Sequence, residues 1–319
     1  MPLSEFALID RYFRDCGSRR DTRIGIGDDG AVLAPPAGHE LVAVVDTLVE
    51  GVHFPPLSPA RSIGHRALAV NLSDIAAMGA TPAWALLALT LPRAEEDWLG
   101  EFVAGFGDLA RLHDVQLVGG DTTSGPLTVT VQVLGIVPRG EALLRRGGQA
   151  GDVVYVTGTP GDAACGLAVL QGRSRTPATT PATALDALRD RFHFPEPRCA
   201  AGVRLRGVAS ACIDVSDGLA GDLGKLAAAS GCGARVEITQ LPLSEPLLAV
   251  AGRAAAEHFA LTGGDDYELC FTVPPALVAA LEGLPCTAIG RLTTGRGVAV
   301  LRGDSVIEFS HSGFDHFAG

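Results

Sequence analysis

Apolar runs of two lengths alternate along this chain, and the alternation confines it to layered helix-and-sheet folds. "ELVAVVDTLV" (40–49) reads as a strand, and "SIGHRALAVNLSDIAAMG" (62–79) as a helix that stops at Gly79. "AWALLALTL" (83–91) is a second strand, and "AEEDWLGEFVAGFGDLARLHD" (94–114) a long amphipathic helix. "VQLVGGD" (115–121) and "LTVTVQVLGIVP" (127–138) are two further strands. The pattern then breaks into charge and glycine at "RGEALLRRGGQAGD" (139–152), which marks a domain boundary. Beyond it come strand "VVYVTG" (153–158), helix "GDAACGLAVLQG" (161–172) and a Pro/Thr-rich loop "RSRTPATTPATA" (173–184). Helix "RCAAGVRLRGVA" (198–209), strand "ACIDVS" (211–216), helix "LAGDLGKLAAAS" (219–230), strand "ARVEIT" (234–239) and an apolar C-terminal region follow. The fold class expected is α/β (α+β): two tandem domains, residues 1–140 and 150–319.

The chain's 319 residues are enough for two substantial cores. A formal charge of −11 argues against a general nucleic-acid binder, which needs a basic footprint, but not against a nucleotide that arrives with its own cation. Seven cysteines, scattered and without a C-x-x-C pair, point to reduced thiols and a cytoplasmic location. The stretch from Ile75 to Pro92 has no charge, yet Gly79, Thr81, Pro82 and Thr90 split it, so no membrane span is expected.

Several acids do not sit where a solvated helix face would put them. Asp46 ends the strand "LVAVVD", Asp74 lies in an otherwise apolar helix, and Asp121 follows a strand and two glycines in "LVGGDTT". Asp214 and Asp217 flank Ser216 in "CIDVSDG", and Asp265 and Asp266 follow two glycines in "TGGDDYEL". Acids beside Gly, Ser or Thr at strand ends suit phosphate and metal binding, although Asp also favours turns for local hydrogen bonding. Carboxylates without cysteine suit hard cations, above all Mg²⁺ shared with substrate phosphates.

The loop "RIGIGDDGAVL" (23–33) has G-x-G-x-x-G spacing, but polar residues precede it where a dinucleotide fold needs a buried strand. Its Asp28 and Asp29 would repel a pyrophosphate unless Mg²⁺ lay between; otherwise it is a glycine-rich turn with solvated acids. No P-loop or protein-kinase motif is present, and Lys225 is the sole lysine. A triphosphate here would be held by metals, backbone amides and arginine, with Arg145 and Arg146 the candidates.

Six motifs in order, "GIGDDGAVL", "DTLVEGVHF", "RALAVNLSDIAAMGA", "GGDTTSGP", "DVSDGLAGDLG" and "GGDDYELCFTV", resemble the thiamine-monophosphate kinase family, from "EFALIDRYF" to the terminal "GFDHFAG". That family belongs with the aminoimidazole-ribonucleotide and selenophosphate synthetases. The resemblance implies an N-terminal domain that binds ATP and pairs across a homodimer, and a C-terminal α/β domain that closes the cleft. The implied reaction moves the γ-phosphoryl group of ATP to thiamine monophosphate.

By position the resemblance makes Asp29, Asp46, Asp74, Asp121, Asp214 and Asp217 ligands of several Mg²⁺ ions. It makes Gly120, Asp121, Arg145 and Ser216 ATP contacts, and His53, Asp265 and Phe314 substrate contacts. Three positions differ from the family's habit. Val44 and Val45 stand where hydroxyl residues are usual, Asp265 where Glu is usual, and Phe314 where Tyr occurs. A phosphate acceptor with a second pKa of about 6 is already mostly dianionic at neutral pH, so no general base is expected. Two alternatives remain at this point. One is a related synthetase of the selenophosphate type, disfavoured because Cys16 has no lysine beside it. The other is a nonenzymatic MgATP-binding scaffold.

Overall fold

The computed structural model describes residues 5–14, 16–174, 176–177 and 179–307. It divides into two compact units, Met1–Ile75 with Ala80–Gly140, and Ala76–Gly79 with Glu141–Gly319.

The first unit begins with α1 (Glu5–Tyr12) and a small hairpin of β1 (Thr22–Ile24) and β2 (Val32–Leu33). Then come β3 (His39–Val49), α2 (Ala60–Ala77), β4 (Thr81–Leu91), α3 (Glu96–Leu112), β5 (Gln116–Ser124) and β6 (Thr128–Pro138). The sheet order is β3-β6-β4-β5. β6 pairs antiparallel with β3 and β4, whereas β4 and β5 are parallel because α3 carries the chain back between them. β6 alternates strictly, with Val129, Val131, Val133 and Val137 buried, so a period of two in the sequence sets its core face.

The second unit contains β7 (Val153–Thr157), α4 (Asp162–Leu170), α5 (Ala182–His193), α6 (Cys199–Arg204), β8 (Ala211–Val215) and α7 (Leu219–Ala229). β9 (Gly233–Glu237), α8 (Glu245–Thr262), β10 (Glu268–Val273), β11 (Cys286–Thr293), β12 (Val298–Arg302) and β13 (Ser305–Ile307) complete it. The seven strands run β13-β12-β9-β11-β7-β10-β8. β7, β8 and β10 are buried along their whole length; β7 is apolar up to its last residue, whereas β8 and β10 bury Asp214 and Glu268 among apolar neighbours. Leu219, Leu223 and Leu226 of α7 pack with Ile213, Val215 and Cys270 in one core. A smaller core joins α4, α5 and α8 through Cys165, Leu188 and Leu247.

The structure adds α5, whose first residues lie in what reads as loop, and shortens the next helix to six residues. It resolves the apolar C-terminal region into α8 and four strands. Among the described residues no helix is long and apolar enough to cross a membrane.

Candidate functional site

In the first unit the G-x-G-x-x-G loop joins the two strands of the β1–β2 hairpin, so β2, not a helix, follows the loop. That geometry lacks the helix N-terminus on which a dinucleotide pyrophosphate rests. Asp28 and Asp29 are exposed, and the Asp29 N–H donates to Asp28 Oδ1 at 2.9 Å.

Asp46 and Asp121 lie inside strands rather than at their ends. β3 continues to Val49 with Asp46 opposite Val131, and β5 continues to Ser124 with Asp121 opposite Ala88. Strand pairing extends both runs past the acids. β6 and β4 separate the two edge strands, at about 4.8 Å per step. The sheet therefore does not bring Asp46 and Asp121 together.

Gly120 is fixed by crowding: a Cβ there would fall 1.8 Å from the Leu87 carbonyl oxygen across the parallel pair, and its φ is +153°. Asp74 is half-buried in the last turns of α2. His53 closes a tight turn after β3. Its Nδ1 accepts the Val49 N–H at 3.0 Å, which leaves the ring proton of the neutral imidazole on Nε2.

The second unit gathers its candidates closely. Asp214 is buried inside β8 opposite Leu269. Ser216 and Asp217 follow in the turn that enters α7. The Asp265 N–H donates to the Ser216 carbonyl at 2.9 Å, and the Tyr267 N–H to that of Val215 at 2.9 Å. Asp265 has a left-handed φ of +70°, unusual for a residue with a side chain, and Tyr267 Oη donates to its Oδ1 at 3.3 Å. Asp265 thus lies against Ser216 and Asp217.

The backbone of Arg145 lies at the other end of β8. The Leu144 carbonyl accepts from Cys212 at the start of β8, and the Arg145 carbonyl accepts from Ser230 beyond the end of α7. Ser216 is four residues further along, roughly 13 Å of extended strand. Arg145 itself is exposed. Phe314 lies outside the described residues.

Four residues behind these candidates escaped sequence reasoning in their roles. Asp222 Oδ2 accepts the N–H groups of Ser216 and Asp217, at 3.0 and 2.9 Å. Lys225 Nζ donates to Asp222 Oδ1 at 2.8 Å and to Asp217 Oδ2 at 2.5 Å. Burial pushes the Asp222 carboxyl above the ordinary carboxylate range, against the opposing hydrogen bond from Lys225.

Asp266 is buried and accepts from the N–H groups of Gly161 and Ala163, at 2.6 and 3.0 Å, which caps the start of α4. Burial holds its carboxyl well above the usual range. Glu268, fully buried, binds Arg191, Arg198 and the Thr157 hydroxyl. Two of the four stood out in the sequence, Asp266 after its two glycines and Lys225 as the sole lysine, but not the partners they bind.

The candidate donors fit a hard cation. All six are carboxylates, while six of the seven cysteines are buried and Cys286 is half-buried. Among the described residues no three His, Cys, Asp or Glu side chains converge into a ready-made metal centre.

The model of the AIR synthase related protein N-terminal domain matches residues 27–137, and that of the C-terminal domain residues 149–302. The thiamine-monophosphate kinase of Salmonella typhimurium is 48% identical over 327 residues, covering 100% of this chain and 99% of its own. A crystal structure of the thiamine-monophosphate kinase from Stenotrophomonas maltophilia superposes with a TM-score of 0.86 at 50% identity, covering 94% of this chain and 97% of its own. A structure described as AaThiL complexed with AMPPCP and TMP superposes with a TM-score of 0.79 at 32% identity over 99% of each chain.

Proposed function

We propose, from the premise that this chain belongs to the thiamine-monophosphate kinase family, that it phosphorylates thiamine monophosphate by direct in-line transfer from ATP with Mg²⁺. It is a kinase of that family, an enzyme that uses ATP. One observation carries the substrate assignment. A relative of known structure that aligns over 99% of this chain holds an ATP analogue together with TMP. The local geometry supports it: Asp265, assigned to the substrate, is hydrogen-bonded through its backbone to Ser216, assigned to ATP.

Asp29, Asp46, Asp74, Asp121, Asp214 and Asp217 would hold Mg²⁺, in more than one group because β3 and β5 are the two edges of their sheet. Bound there, Mg²⁺ supplies the positive charge that lets two phosphate groups approach and stabilises the charge spread over the transferring group. The protein's own contribution is placement. Asp222 fixes the backbone of Ser216 and Asp217 from behind, so the loop is formed before ligands arrive. His53, with Nδ1 committed to Val49, carries its N–H donor on Nε2, suited to a phosphate oxygen.

Asp265 approaches from its left-handed turn with one methylene less reach than a glutamate. Val44 and Val45 offer no side-chain oxygen, so any ligation there uses backbone carbonyls or water. Gly120 and Arg145 contact ATP, Arg145 at the end of β8 away from Ser216. Phe314 offers an aromatic face to the thiazolium cation. No side chain need act as a general base, because the acceptor phosphate is already ionised.

The homodimer is proposed to form through β3. Among the described residues it is an edge strand of its sheet, and Leu41 and Val45 on it are 49% and 59% exposed, a surface suited to a partner strand.

Incubating the purified protein with MgATP and thiamine monophosphate, then separating the thiamine species, tests the activity. Equal amounts of thiamine diphosphate and ADP are expected, and neither without Mg²⁺. ADP without thiamine diphosphate would assign another acceptor, and bound nucleotide without turnover would assign a scaffold. Asp46→Asn should lower kcat by about a hundredfold or more. Activity within about threefold of wild type would remove Asp46 from the ligand set.

A further inference from the structure

Lys225 is the only lysine among 319 residues, and it lies in α7, the helix that follows the second unit's candidate loop. Its ammonium bridges two acids, Asp222 Oδ1 at 2.8 Å and Asp217 Oδ2 at 2.5 Å. Asp222 is 1% exposed and spends its other oxygen on the Ser216 and Asp217 N–H groups. One buried carboxylate therefore anchors the loop backbone directly and the Asp217 side chain through the lysine. The ammonium occupies one of the two oxygens that a divalent cation on Asp217 could use.

We propose that Lys225 is a positioning residue that acts as a tethered counter-cation, holding Asp217 in place and competing with the divalent ion for its carboxylate. The inference rests on the assignment of Asp217 as a metal ligand. Three features support it. Asp217 and Asp222 are like charges within reach of one ammonium, so an unloaded loop needs a cation to offset their repulsion. The lysine side chain is 46% exposed on a flexible four-carbon stem, so it can swing away while Asp222 keeps the backbone fixed. An ammonium is also a compact point charge, whereas a guanidinium would fork across the carboxylate and hold it bidentately. Every other Lys/Arg position in the chain is arginine, so this position departs from the chain's general usage.

The test is calorimetric titration of Mn²⁺ into the full-length protein saturated with a non-hydrolysable ATP analogue, for wild type, K225M, K225R and D217N. K225M should bind Mn²⁺ about three- to tenfold more tightly than wild type, the size of a unit charge removed near a divalent ion in a partly solvated site. K225R should bind more weakly than wild type, and D217N should lose that binding step. A merely structural lysine predicts weaker binding in both lysine variants.

Wild-type or weaker affinity in K225M, with D217N still defective, overturns the counter-cation and leaves Asp217 a ligand. Unchanged binding in D217N overturns the ligand assignment and the inference with it. The rise in Tm on adding Mn²⁺ gives an independent readout. It should be larger for K225M than for wild type, because ligand stabilisation grows with affinity.

Discussion

At the scale of single residues, the acids of this chain divide by what surrounds them. Arg19 binds both oxygens of Asp21 and also reaches Asp114, with its guanidinium over the Trp84 ring. The hydrogen bond from Arg19 holds the Asp21 carboxyl below its ordinary range. A carboxyl lowered in the folded state stabilises above its unfolded pKa, and that contribution is lost as pH falls through the lowered folded value. Asp21→Asn should therefore cost about 1 kcal/mol near neutral pH, solvent screening included. Its Tm curve should merge with wild type as pH falls from about 5 to about 2. A constant gap across that range would assign the loss to packing instead. Asp46, Asp121, Asp214 and Asp217 were recognisable as candidates from motif order. Their settings were not, because a strand's end is decided by its neighbours: Val131 and Ala88 carry the ladder past both Asp46 and Asp121. The role of Asp222 was hidden for a related reason, since it bonds backbone groups five and six residues upstream.

At the scale of elements, α4 shows how a distant acid starts a helix. Its first residues offer no side-chain cap, since Gly161 stands at the N-cap with φ +95°. Asp266, just before β10, supplies the missing acceptor for two N–H groups. Asp266→Ala should lower stability by about 1–3 kcal/mol, read as a drop in the urea midpoint, with Asp266→Asn milder because it keeps an acceptor. Equal stability of Asp266→Ala and wild type would show that the cap carries no weight. α5 was the element least legible in advance. The Pro/Thr-rich run before it obscures its start, and its buried residues are few: Ala184, Leu188 and Phe192. What holds it is tertiary, the packing on α4 and α8 and the pairing of Arg191 with buried Glu268. By contrast, the strict alternation in β6 and the apolar run Val153–Val156 of β7 were readable because period and burial coincide there.

At the scale of the whole molecule, the exposed edge of β3 predicts association. Wild type should elute as a dimer by light scattering, and a Leu41→Lys, Val45→Lys double variant as a monomer, since charge on an open edge blocks strand addition. A monomeric wild type, or a variant that still pairs, would sink that expectation. The tandem organisation was legible because charge and glycine interrupt the pattern around residues 139–152. The lone lysine has a practical corollary for anyone handling the protein. Amine-reactive dyes, crosslinkers and sensor-chip couplings find one side chain to attack besides the α-amino group, and it is the one touching Asp217. Protein immobilised through that side chain would report the behaviour of a blocked loop, so attachment belongs elsewhere, for instance on an engineered surface cysteine.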